Sequence, residues 1–220
     1  MVRGMAQAPI VAVRGEVVRE VPPEIARFSV TVSARHADRQ TTLTRLAARA
    51  DAIRDIIDGY GPAIERRETG ALRVHPERKG PRERIAAYHG SVSTTVTVVD
   101  FTVLGELMLR LADQEQTSVA GPWWALRPNS PVHREARRAA IDDALERARE
   151  YADALGARVT ALVELADSGM AQQPVAMTRA AYGFGGMEVT GGPPQLNLDP
   201  QPQTVYAHIE ARFTISEPEL

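Results

Sequence analysis

An alanine recurs at every fourth position from Ala136 to Ala152, and no other stretch constrains the fold as tightly. Ala136, Ala140, Ala144, Ala148 and Ala152, with Ile141, Leu145 and Leu155 beside them, lie along one side of a helix over 131–156. The stripe is narrow and shallow, so this helix can sit close against a sheet. Asn129 or Ser130 offers an N-cap oxygen, Pro131 suits the first turn, and Gly156 can take the left-handed conformation that ends the helix. Charges of both signs occupy the other faces, and they read as solvated.

Around this helix the rest of the chain punctuates itself. Residues 10–18 are rich in β-branched side chains. After Pro22-Pro23, residues 26–34 alternate, with Ala26, Phe28, Val30, Val32 and Ala34 on one side and Arg27, Ser29, Thr31 and Ser33 on the other. Two strands joined by a proline turn predict a hairpin. From Asp38 the period becomes helical, placing Leu43, Leu46, Ala50, Ile53 and Ile57 on one face until Gly59 and Gly61-Pro62 end it. Further strands are predicted at 66–75, 85–99, 117–126, 158–166 and 205–215. A helix over 101–113 carries Val103, Leu104, Leu107, Met108 and Leu111 and can be capped by Asp100 or Thr102.

Strands with one apolar side belong to antiparallel sheets with one solvated face; strands of a doubly covered parallel sheet would read apolar throughout. The class is therefore α+β, a mainly antiparallel sheet with the helices near 38–59, 101–113 and 131–156 on one face. The expected organisation is a single domain over 10–216, with short tails at 1–9 and 217–220. A glycine- and proline-rich loop runs over about 167–203, part of which, near 175–177, can pair as an edge strand.

Chemistry is harder to read. The formal charge is −2, from 26 basic and 28 acidic residues without a long block of either sign, so neither nucleic acid nor an anionic membrane is favoured as partner. No stretch is long and apolar enough to span a bilayer. The absence of cysteine excludes disulfides, thiolate nucleophiles and Cys-ligated zinc but leaves the compartment open. The first residues lack an apolar core of signal-peptide length, which predicts a cytoplasmic protein, or an exported one whose leader has been removed. The five histidines, at 36, 75, 89, 133 and 208, lack metal-ligand spacing, and no metal or cofactor is expected. The glycines at 183, 185 and 186 are not flanked by the buried strand and helix of a dinucleotide site. No serine sits in a nucleophile elbow, and Asp142 and Asp143 diverge around the helix among arginines. No catalytic residue is assigned, and a non-enzymatic protein is expected.

Two features stand above this background. Trp123 and Trp124 are consecutive in a strand, so at most one indole can enter the helix-covered core, and the other lies at a sheet lip or an interface. The polar sheet face, with Arg27, Thr31, Thr95, His208, Glu210 and Arg212, is a possible binding surface, although a solvated face is ordinary.

The segments VAVRGEVVREVPPEIARFSVTV, AAYHGSVSTTVTVVDFTVLGELMLRL, AIDDALERAREYADALGARVTALVEL and PQPQTVYAHIEARFTI, in this order and spacing, resemble the SIMPL-domain family. The resemblance covers nearly the whole chain. Val17 departs from it, standing where a second glycine often follows the Gly15-Glu16 pair, as does the missing signal peptide of exported members. The resemblance implies an α+β fold, a tendency to self-associate, and a loose link of bacterial members with oxidative-stress defence; it brings no catalytic residues. The expected function is self-assembly or partner binding as a homo-oligomer, with Trp123 or Trp124 near the contact. The alternative is a small-ligand binder or an unrecognised enzyme using Arg27, His208 and Arg212 on the polar face.

Overall fold

The computed structural model describes residues 8–79, 84–167 and 196–219. In chain order they form β1 (Ile10–Val21), β2 (Ile25–His36), α1 (Arg39–Asp58), β3 (Ile64–Lys79), β4 (Arg84–Val98), α2 (Leu104–Ala112), β5 (Thr117–Ala125), α3 (Pro131–Ala154), β6 (Val159–Ala166) and β7 (Gln203–Ile215). The fold is α+β, and every strand pairing is antiparallel. The strands do not make one sheet under three helices, however. They make two sheets, ordered β1-β7-β6 and β3-β4-β2-β5. The described residues group accordingly into two compact units, one of β1, α3, β6 and β7, the other of residues 22–127 with 196–202.

The expected hairpin of the first two strands is therefore not formed. Strand β1 pairs along its whole length with β7, from Ile10 opposite Thr214 to Val21 opposite Gln203, while β2 pairs with β4 and β5. The physical reason lies in the connection. A tight hairpin turn needs central residues at positive φ, whereas Pro22-Pro23 fixes φ negative and only interrupts the strand.

In the first unit the alanine stripe meets its sheet as the repeat implies. Ala136, Ala140, Ala144 and Ala148 are fully buried and Ala152 nearly so, against the face carrying Val13, Ile209, Ala211 and Phe213. At Gly15, opposite Ile209, an added Cβ would overlap the Ala140 carbonyl oxygen and lie 2.8 Å from the Ala144 Cβ. The glycine is there because the helix backbone occupies that space. Asp143 lies over the same edge, where its Oδ2 accepts the Glu16 N–H at 2.8 Å and pairs with Arg147 Nε at 3.0 Å. One otherwise open N–H of an edge strand is thus satisfied from the helix. The helix begins with the Ser130 hydroxyl accepting from the Val132 N–H and is followed by Gly156 at φ +65°. Ile141 and Leu155, expected beside the stripe, remain 39% exposed, because alanines alone fill the shallow contact.

In the second unit α1 and α2 cover one face of the β3-β4-β2-β5 sheet. Ala26, Phe28, Val30, Val32 and Ala34 of β2 pack with Val96 and Val98 of β4, Leu46, Ile53 and Ile57 of α1, and Leu104, Leu107 and Leu111 of α2. Leu198, in the irregular segment 196–202, joins this core. Thr42 takes the inward place that apolar periodicity gave to Leu43. Its hydroxyl donates to the Asp38 carbonyl at 2.9 Å, so it is buried without an unsatisfied group. Asp38 caps α1, and Asp100 caps the 3-10 turn at Phe101–Val103 that precedes α2. Most of the expected loop over 167–203, including the candidate edge strand at 175–177 and the glycine cluster at 183–186, lies outside the described residues.

Gly15→Ala or Ala144→Leu should each destabilise the fold by about 1–3 kcal/mol through overpacking. Denaturant unfolding of either variant indistinguishable from the parent would show that α3 does not lie where β1 meets it. A second expectation concerns acid. The Thr41 backbone N–H and hydroxyl both donate to the Asp38 carboxyl and hold its pKa below the ordinary carboxylate value. Its stabilising contribution is complete above the ordinary carboxylate pKa and is lost as pH falls through the lowered one. Asp38→Asn, which keeps a capping oxygen without the charge, should lose less stability over that acid range than the parent, read from melting temperatures at stepped pH.

Candidate functional site

The two tryptophans separate as the strand period requires. Trp124, opposite Ala26, turns to the helix-covered side and meets Phe101 edge-on, with ring centroids 4.9 Å apart. Trp123, opposite Arg27, turns to the other side and is 42% exposed. Arg27 and Trp123 are thus cross-strand neighbours on the polar face of the second unit's sheet, which also carries Ser29, Thr31, Thr95 and Thr97.

His208 and Arg212 do not join them. Both lie on β7, in the other sheet, where His208 stands opposite Glu16 and Arg212 Nη1 is 3.5 Å from Glu164. What looked like a single polar face in the sequence is two faces of two sheets, because alternation marks a strand's sides without naming its sheet. His75 and His89, fourteen positions apart in sequence, come together across β3 and β4 with ring centroids 5.2 Å apart.

The second unit also holds an open cleft of about 610 Å3, lined by Arg35, Arg45, Arg49, Glu115 and Gln116. Arg45 and Arg49 stand one turn apart on α1, Arg35 comes from the end of β2, and Glu115 and Gln116 precede β5. Arg49 Nη1 donates to the Ser33 carbonyl at 2.8 Å, while its Nη2 lies 3.6 Å from Glu115. Arg35 forks onto Glu77 through Nε at 2.6 Å and Nη2 at 3.0 Å. That hydrogen bond, then the carboxylate's charge, raises the guanidinium's pKa above its ordinary value. Gln116, at φ +56°, accepts from the Ser33 N–H at 2.9 Å. The Arg45-Arg49 spacing was legible in the sequence, but its meeting with Arg35 and Gln116 was not.

The family model for SIMPL, a protein of unknown function (DUF541), matches residues 11–213. The chain belongs to the SIMPL family. The 26 kDa periplasmic immunogenic protein of Brucella melitensis is 26% identical over 186 residues, covering 78% of this chain and 72% of the relative. The protein of the same name from Brucella abortus is also 26% identical over 186 residues, with the same coverage. The family carries no molecular function in its description.

These relatives overturn the expectation of a cytoplasmic protein, since both are named periplasmic. The physical reason is that export is signalled by a targeting segment and not by how folded residues pack, so periodicity and composition did not mark the compartment. Among the described residues, no helix is long and apolar enough to cross a membrane.

Trp124→Ala should destabilise the second unit toward the lower end of the roughly 3–5 kcal/mol typical of truncating a buried tryptophan, because its ring is only partly buried. Trp123→Ala should cost clearly less, because its indole lies on the sheet face that α1 and α2 do not cover. Equal losses for the two in thermal unfolding would contradict their opposite placement.

Proposed function

We propose that this SIMPL protein is exported and non-enzymatic, and that it acts through self-assembly. The observation that supports the reading is β6. This strand ends the β1-β7-β6 sheet, and among the described residues its outer backbone edge has no partner strand. It exposes Leu162 at 54%, Val163 at 52% and Leu165 at 46%. An apolar edge strand is a template for another strand unless charge, proline or a cover blunts it, and β6 carries a single charged residue, Glu164. Burying such an edge against a second copy supplies ladder hydrogen bonds and removes apolar surface from water in one step. Trp123, half-exposed on the other sheet, is the second contact in this reading.

The periplasmic relatives support export. The family's loose link with oxidative-stress defence belongs to the same proposal, and a deletion strain with unchanged peroxide survival would remove that part of it. Light scattering tests the assembly. The parent should be an oligomer, Leu162→Lys should shift it toward monomer by placing charge on the edge, and Trp123→Ala should weaken it. A monomeric parent defeats the reading, while an oligomer untouched by either substitution would take both β6 and Trp123 out of the contact.

A further inference from the structure

We propose that the arginine-lined cleft of the second unit binds a small polyanion, a molecule bearing two or more phosphate or carboxylate groups. The cleft's volume, about 610 Å3, is within the usual range for small-molecule sites. Its lining is three guanidiniums, a carboxylate and an amide, with no apolar side chain, so it suits a charged ligand and not a greasy one.

The charges are arranged at a cost that an anion would relieve. Arg45 and Arg49 are like charges at the i, i+4 spacing of one helix, which repel and destabilise it. Arg45 is exposed and, among the described residues, makes no ion pair or hydrogen bond. Arg49 is positioned by the Ser33 carbonyl, and its ionic partner Glu115 is 91% exposed and 3.6 Å away, a weak contact that a multivalent anion can displace. Arg35 spends two of its five N–H donors on Glu77 and is thereby held in place at the cleft wall. Guanidiniums fixed by such neighbours lose little freedom on binding, and their planar forks match phosphate and carboxylate oxygens in pairs.

Calorimetric titration of the full chain with pyrophosphate, and separately with citrate, at constant ionic strength tests the site. Saturable binding of either probe at one site is expected, and the tighter of the two identifies the anionic group preferred. Arg45→Gln, at an exposed position that leaves the fold intact, should weaken binding at least about tenfold. Glu115→Gln should tighten it, because the competing carboxylate is gone. Arg134→Gln, an exposed arginine on α3, should leave it unchanged. Binding of neither probe overturns the proposal. So does an Arg134→Gln loss equal to that of Arg45→Gln, which would reduce the effect to net charge, or a Glu115→Gln variant that binds more weakly.

Discussion

The seat of α3 on β1 and β7 depends on small residues along the helix and, on the strand side, at Gly15. A helix can approach a sheet only as closely as the side chains between them allow; here the helix offers five alanines, and where its backbone lies against β1 the strand offers Gly15. Dispersion falls steeply with distance, so a close seat compensates for the little apolar area each methyl buries. It also makes the approach over Gly15 unforgiving, since an added side chain there would meet helix backbone and a methyl group, neither of which can move aside. The Glu16 N–H to Asp143 bond belongs to the same geometry, because the helix must lie low over β1 for a short carboxylate to reach the strand's backbone.

The second unit solves the same problem differently. Its sheet presents Phe28, Val30, Val96 and Val98, and its helices answer with leucine, isoleucine and methionine. Large interdigitating side chains bury more area and tolerate more rearrangement than an alanine seam. The buried Thr42 is consistent with this, since a helix backbone carbonyl one turn earlier satisfies its hydroxyl. One chain therefore carries two kinds of helix-on-sheet packing, each legible in the size of the residues on its apolar stripe.

Both surfaces with functional promise lie where this packing ends. Strand β6 reaches beyond the cover of α3, so Leu162 and Leu165, although opposite the buried Phe213 and Ala211, stay exposed. The arginine cleft sits where α1, the end of β2 and the turn into β5 meet, and its residues are the ones the core does not use. Of the polar sheet faces that alternation marks, Trp123 alone takes part in the proposed assembly.

Local periodicity in the sequence determined the elements and their sides. The helices, the turn of Trp123 and Trp124 to opposite faces, an N-cap at Asn129 or Ser130, and the left-handed Gly156 all follow from residues within a turn or two of one another, whereas the structure decided which indole turns outward. Strand partnership did not follow, because hydrogen-bonding edges are alike along every strand and the choice between them depends on which apolar faces fit which helix. Only the tertiary structure sent β1 to β7 instead of β2, put His208 and Arg212 on a different sheet from Arg27, and brought Arg35 and Gln116 to the arginines of α1. Those contacts join residues far apart in the chain, where no period in the sequence connects one to the other.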